Sequence, residues 1–511
     1  MAGTVERVVV IGAGMGGLSS AIRLAHAGLD VQVVDRAPGP GGKMRTMETP
    51  AGPVDAGPTV MTLRTVFEEL FECTGARLSD YVTLHREEVL ARHWWPDGSS
   101  LDLFSDAEAS AAAVADFAGA KAEREFRGFC ARARRLFEAF EGPMMLAGTP
   151  SQGALTAHVL TQPRLILDMA PHRTLAQSLG AQFSDRRLAQ LFGRYATYVG
   201  GSPFRSPALL GLIWHAESQG VWRVEGGMKQ LAQALERLAR DKGAAFTYGT
   251  GAARIETQAG RATAVHLDDG TRLPADCVVF NGDPAALGAG LLGTDVEDTL
   301  PRDATHPRSL SAYVWSYAAR PHGPELVHHN VFFCDDPHTE FDPIAGGRMP
   351  EDGTLYICAQ DRGSAKMPQG LERFEIIMNG PPVADGAEAT DEEKETCRTR
   401  TFETLARFGL TFDPTPTTEW LTTPRRFAKL FPASEGSLYG RSPHGLTASL
   451  KKPTARTRVV GLYLAGGGTH PGAGIPMATL SGRHAAEAIL TDLASTSTSR
   501  PTVMPGGMST A

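Results

Sequence analysis

Four glycines close behind an aliphatic run near the N-terminus have the spacing of a phosphate cradle. In Val8-Val9-Val10-Ile11-Gly12-Ala13-Gly14-Met15-Gly16-Gly17-Leu18 the aliphatic residues read as a buried parallel strand, too short to span a membrane. Gly12 permits the sharp turn, Gly14 lets the backbone approach a pyrophosphate, and Gly17 lets the next helix pack on the strand. Met15 and Gly16 complete the loop. Leu18, Ala21, Ile22 and Ala25 recur at helical spacing, so the unpaired N–H groups and positive dipole end of that helix face the phosphates. Gly28 ends the helix and Val31-Gln32-Val33-Val34 forms a second strand. It finishes on Asp35, roughly 20 residues past the glycines, where an acid grips a ribose 2′-OH. The segment predicts a dinucleotide site. A second match to the glycine pattern, Gly288 to Gly293, follows Pro284 and a run of alanines instead of a strand, and predicts a loop or helix end.

Two further stretches have chemistry to offer. Arg36-Ala37-Pro38-Gly39-Pro40-Gly41-Gly42-Lys43-Met44-Arg45 supplies a closely approaching backbone at Gly42 and cations for a diphosphate at Arg36, Lys43 and Arg45, which a plain NAD site does not need. Val54 to Val60 is turn-rich; it reads either as backbone N–H groups, with Thr59 and Val60, brought against a ring system, or as a simple surface turn. Near the C-terminus an apolar strand, Val459 to Leu464, runs into Gly466-Gly467-Gly468-Thr469-His470-Pro471-Gly472-Ala473-Gly474-Ile475-Pro476-Met477. Pro476 suits the first turn of a helix. A second helix start therefore points at a ligand, and its dipole would stabilise negative charge at the N1/C2 edge of a reduced flavin.

The elements that must position these residues are those of an ordinary globular protein of two or three domains. Over 511 residues the formal charge is −7 and no extended Lys/Arg tract occurs, which argues against nucleic acid as a partner. Cys73, Cys130, Cys277, Cys334, Cys358 and Cys397 include no CxxC pair and read as reduced thiols of a cytoplasmic protein. Residues 1–7 lead directly into the first strand, leaving no room for a signal peptide, and no apolar run reaches the length of a spanning helix. Any membrane contact is expected to be peripheral. No metal site is expected.

In chain order, residues 1–61 form the first part of the dinucleotide domain. Residues 62–215 are mainly helical, with a strand pair turning at Asp97-Gly98, and break the βαβ rhythm. Here Arg127, Arg132, Arg134 and Arg135 stand beside Leu136, Phe137, Phe140, Met144, Met145 and Leu146, followed by Leu165-Ile166-Leu167. The pattern fits a helix seated on anionic lipid, or a core helix with a solvated arginine face. Residues 216–285 return to the dinucleotide domain. Residues 286–450 carry strands at Leu310 to Tyr317, Leu355 to Ala359 and Phe374 to Met378, read as an antiparallel sheet walling a cavity. Thr390 and Glu393 read as a capping box. Residues 451–493 complete the first domain, and 494–511 read as a disordered tail.

Together the N-terminal glycines, the Asp35 to Lys43 segment and the C-terminal strand-to-helix turn resemble the FAD-dependent phytoene desaturase (carotenoid desaturase) family, among the amine oxidase-like flavoproteins. Thr469 to Pro476 resembles that family's C-terminal signature. Gly193 to Phe204 and Gly220 to Met228 resemble its 1-hydroxycarotenoid 3,4-desaturase (methoxyneurosporene dehydrogenase) branch. Asp35 and Gly467 depart from the family's usual Glu and Ala. The resemblance implies an α/β fold: a Rossmann-like FAD-binding domain (amine oxidase/glutathione reductase-like) with an inserted α+β substrate domain. It implies FAD held by Gly12, Gly14, Met15, Gly16 and Gly17 at the diphosphate, Asp35 with Arg36 near the ribose, and Gly42, Lys43 and Arg45 nearby. Thr59, Val60, Gly468, Ile475, Pro476 and Met477 would surround the isoalloxazine ring.

The implied reaction is desaturation of an apolar C40 carotenoid by hydride transfer to flavin, in a dry tunnel beside the ring. The enzyme would sit in the cytoplasm, peripherally on the inner photosynthetic membrane, with oxygen or a quinone as electron acceptor. No catalytic base is nominated; His215, Glu217 and Glu225 read as structural or surface groups. Phytoene desaturase, flavin amine oxidase, carotenoid isomerase and a non-redox prenyl-lipid binder remain alternatives.

Overall fold

The computed structural model describes residues 6–364, 368–383 and 387–498. Strand Arg7–Ile11 lies at the centre of a five-stranded parallel sheet. Asp30–Asp35 and Ala245–Tyr248 flank it on one side, Cys277–Phe280 and Leu462–Leu464 on the other. Alternation along these strands sends side chains to opposite faces. Val8, Val10, Val31, Val33 and Val279 pack under the helices Met15–His26, Lys229–Asp241 and Ile475–Thr498. Val9, Ile11, Val34, Val278 and Phe280 pack under a small antiparallel sheet that includes Ile255 and Val265. Both faces are covered, which is why these strands read as continuous apolar runs.

The core beneath the helices also takes Phe67, Leu70, Phe71, Leu78 and Val82. The change of rhythm after residue 61 is thus not a change of core. A second sheet has eight strands. Ser311–His322, Glu372–Gly380, Leu355–Ala359 and His329–Phe332 run antiparallel in that order; the first three are the strands expected from alternation, and the fourth goes beyond that expectation. His329–Phe332 then joins Val89–Trp94 in parallel, so the early strand pair extends this sheet. Helix Ala107–Phe140, kinked at Gly119, covers one face through Phe126 and Phe129.

Two sequence expectations need correction. Thr390 caps its helix by accepting from the Glu393 N–H, but the Glu393 carboxylate turns to Arg425 and Tyr313 and does not close the box. The C-terminal helix runs on to Thr498, past the expected boundary at 494, and on its last turns Thr491 bonds back to the Glu487 carbonyl and Ser495 to that of Thr491. Residues 499–511 lie outside the described residues.

Candidate functional site

The first glycine loop is pinned at several points. Gly12 has φ +102° and its N–H donates to Val34 O at 2.8 Å, which turns the chain off the strand. The Asp35 carboxylate accepts from Ala13 N–H at 2.7 Å and Ala37 N–H at 2.8 Å, keeping spare lone pairs on both oxygens. Helix Met15–His26 has no side chain capping its start, so its first N–H groups remain available to an anion. A Cβ on Gly14 would lie 2.8 Å from Asn281 Nδ2, one on Gly16 2.5 Å from Gly466 N, and one on Gly17 2.0 Å from Gly12 O. The cradle tolerates no side chain at these positions. It suits a diphosphate approached by backbone alone.

The second glycine segment meets the first. Ala465 N–H donates to Phe280 O, and Gly466 N–H to Ser481 Oγ at 2.7 Å, so the strand end at 464 lies beside the loop at 12–17. Gly41 N–H donates to Ala13 O, and a Cβ on Gly42 would lie 3.3 Å from Gly14 Cα. Gly474, at φ +102°, leads into Ile475 and Pro476, both buried, and Met477, partly buried. Gly468 sits against Gly440 and Pro284. Arg36 and Arg45 are directed elsewhere: Arg36 donates to Leu430 O, and Arg45 donates to Thr422 Oγ1 and lies over the Phe427 ring. Lys43 donates to Leu438 O at 2.6 Å.

Sequence reasoning missed three groups here. Asn281 donates to Gly12 O at 3.1 Å and lies between both glycine segments. Its signal was its position directly after the buried strand Cys277–Phe280. Asp283 pairs with Arg308 at 2.5 Å, both side chains buried. Lys452 donates to Tyr439 O, one residue from the carbonyl that Lys43 uses. Burial pushes both lysines down to about 8, opposed by Asp283 and reinforced by Arg308.

Facing this region, Thr59 Oγ1 lies 2.8 Å from Tyr356 OH, which in turn lies 2.7 Å from His329 Nδ1. Val60 packs at the edge of the helical core. Glu217 accepts from Tyr195 and Tyr198 and serves as an internal anchor; Glu225 pairs with His85 on the surface, and the His215 ring lies tilted against Phe137. Burial drives His329 well below the usual imidazole range and Glu375 well above the carboxylate range. Neither of two cavities in the chain lies between the glycine segments. A crevice of about 10 Å³ lies beneath Phe129 and Leu175, and a groove of about 330 Å³ lies outside, on helix Asp391–Arg407. Side chains from the inserted helices and the sheet pack into one apolar cluster.

Residues 15–490 match the flavin containing amine oxidoreductase family. The chain belongs to that family, in its carotenoid desaturase branch. It is 60% identical to hydroxyneurosporene desaturase of Cereibacter sphaeroides, over 96% of this chain and 99% of that protein. It is 51% identical to hydroxyneurosporene desaturase of Rhodobacter capsulatus, over 95% of this chain and 98% of that protein. Among solved structures it is similar in fold to cyclohexylamine oxidase from Brevibacterium oxydans, with a TM-score of 0.54 and 18% identity, over 96% of this chain and 100% of that one. The desaturase is an FAD-dependent oxidoreductase with the expected Rossmann-like α/β architecture.

Proposed function

We propose that this enzyme introduces the 3,4 double bond into a 1-hydroxylated (or 1-methoxylated) acyclic carotenoid in spheroidene- or spirilloxanthin-type biosynthesis. The observation that carries this reading is 60% identity, over nearly the whole of both chains, to a protein named hydroxyneurosporene desaturase. Bound FAD supplies the two-electron oxidant for an allylic CH₂–CH₂ unit. Gly12, Gly14, Met15, Gly16, Gly17 and Gly42 would hold its diphosphate, Asp35 the adenosine ribose and Lys43 the flavin end, while Arg36 and Arg45 would reach the cofactor only by leaving Leu430 O and Thr422 Oγ1. Thr59, Val60, Gly468, Ile475, Pro476 and Met477 would border the ring, where Lys43 and Lys452 add positive charge. The walls from the helical insertion and the large sheet orient the polyene and exclude water. Oxygen or a quinone is the acceptor we favour, since Gly288 to Gly293 closes a helix instead of forming a second cradle.

We further propose peripheral attachment to the cytoplasmic face of the inner photosynthetic membrane. Among the described residues no helix is long and apolar enough to cross a bilayer. Leu136 and Phe140 are buried, Arg127 pairs with Glu108 and Glu123, and Arg135 with Asp168, which leaves the helix itself a core element. The apolar surface is next to it: Leu146, Leu160, Ile166 and Leu167 are exposed, Leu160 by 65% and Leu167 by 79%, on the helices Gln152–Leu160 and Pro163–Met169 and the turn before them. His470 and His484 donate to Ala147 and Met145 carbonyls, tying that surface to the C-terminal glycine segment. Replacing Leu160 and Leu167 together by Asp is expected to lower partition onto anionic vesicles roughly tenfold to hundredfold, measured by sedimentation, with flavin content unchanged.

The function is tested by co-expression with the earlier carotenoid pathway. Conversion of 1-hydroxylated neurosporene with a red-shifted pigment spectrum supports it; conversion of phytoene instead refutes it.

A further inference from the structure

Four adjacent strands of the large sheet set polar side chains opposite one another in one row. His329 pairs with Cys358, Cys358 with Glu375, and Glu375 with Ser316. Residues opposite one another in neighbouring strands share a face. This face looks toward the inserted helices and the 55–60 segment: Tyr356, two residues before Cys358, packs against the helical core and bonds to Thr59. All four residues of the row are at most 2% exposed. Ordinary core packing does not account for them, because His329 Nε2, both Glu375 carboxyl oxygens and Ser316 Oγ have no hydrogen-bond partner. Buried polar atoms in native proteins almost always have one.

The row adjoins the proposed flavin end. His329 Nδ1 lies 2.7 Å from Tyr356 OH, which lies 2.8 Å from Thr59 Oγ1, one of the residues proposed to border the ring. Burial pushes the Glu375 carboxyl well above the usual carboxylate range and the His329 imidazole well below its own. The row offers unpartnered polar atoms of both kinds at His329 Nε2, the Glu375 carboxyl and Ser316 Oγ. That suits a hydroxyl, which donates and accepts at once.

On the proposed reaction, the carbon bearing the hydroxyl is two carbons from the bond being desaturated, so a receptor for that hydroxyl has to lie beside the flavin ring. We propose that Glu375 and His329, supported by Ser316, receive the hydroxyl end of the substrate and so fix which CH₂–CH₂ unit meets the flavin. This rests on the preceding functional reading. The row's role is one of specificity, with no bond made or broken in it.

The test compares purified holoenzyme on a 1-hydroxylated acyclic carotenoid and on the same polyene lacking the hydroxyl. The wild type is expected to prefer the hydroxylated substrate in kcat/KM. Glu375→Leu and His329→Phe should each lower that preference roughly tenfold to hundredfold, while Glu375→Gln, whose amide still donates and accepts, keeps most of it. If Glu375→Leu does not fold, His329→Phe and Glu375→Gln decide. An unchanged preference, an equal loss on both substrates, or loss of flavin from the variants overturns the proposal. So does a stoichiometric metal in the purified protein held by His328, His329 and Cys358, whose ligand atoms lie within 4.8 Å of one another. A wild type that converts both polyenes equally well overturns this assignment and leaves desaturation standing; one that converts neither sinks the functional reading as well.

Discussion

Gly17→Ala is expected to yield protein that purifies without flavin and melts well below the wild type. The added methyl would stand 2.0 Å from Gly12 O and 3.0 Å from Asn281 Nδ2. The first of these is backbone, and it belongs to the residue that turns the chain off the central strand, so the helix must move away from the strand. Overpacking of this kind costs about 1–3 kcal/mol where neighbours can adjust, and more where the obstacle is main chain. The same displacement swings the helix start away from Gly466, which already lies too close to Gly16 to admit a side chain. One methyl therefore disturbs both ends of the cradle. Gly28→Ala is the control. It has φ +87° but nothing within 4 Å of the new methyl, so it carries only the backbone penalty of about 1–2 kcal/mol. Flavin absorbance per protein and thermal melting separate the two variants. Gly17→Ala that retains full flavin would show that the close approach does not serve the cofactor.

The legible parts of this molecule are those written in consecutive residues. Val8 to Gly17, Asp35 and the run from Leu462 to Ile475 declare strand, turn and helix locally, and the parallel sheet follows because each strand is apolar on both faces. The strands around Leu355 and Phe374 were likewise readable from alternation. What sequence could not deliver is pairing over distance. Asn281 belongs to the site only because Cys277–Phe280 lies beside Arg7–Ile11. Lys452 joins Lys43 only because two separate segments reach neighbouring carbonyls. Glu375 looked like one polar residue in an apolar strand; the row appears only once register sets it against Cys358 and Ser316. The arginines at 132 and 135 left a lipid-seated helix and a core helix both open because their partners, Asp168 and Ser178, come from later helices. Burial behind residue 61 went unseen for the same reason: Phe67 and Phe71 meet helices from the far end of the chain.

Asp283→Asn is expected to destabilise the protein by about 3–5 kcal/mol at neutral pH, since removing one partner of a buried pair strands the other. Arg308 keeps only the Ser434 and Thr305 carbonyls for its charge. The loss extends beyond that pair. Asp283 also holds up the pKa values of Lys43 and Lys452, which burial has already lowered to about 8. Without it, three cations face one another across the carbonyls of Leu438 and Tyr439 with less to balance them. The pH dependence follows from the direction of the lysine shifts. Between the folded value near 8 and the ordinary value near 10.5, the unfolded chain binds more protons than the folded one, so these lysines make stability rise with pH across that window. In Asp283→Asn both folded values fall further, and the rise begins at lower pH. Urea melts of the flavin-free protein should therefore show a larger deficit for the variant at pH 7 than at pH 9, where neutral lysines no longer oppose Arg308. Arg308→Met added to Asp283→Asn should recover part of the loss, as a methionine can fill the site without a stranded charge. An equal deficit at both pH values would separate the lysines from Asp283 and confine its role to Arg308.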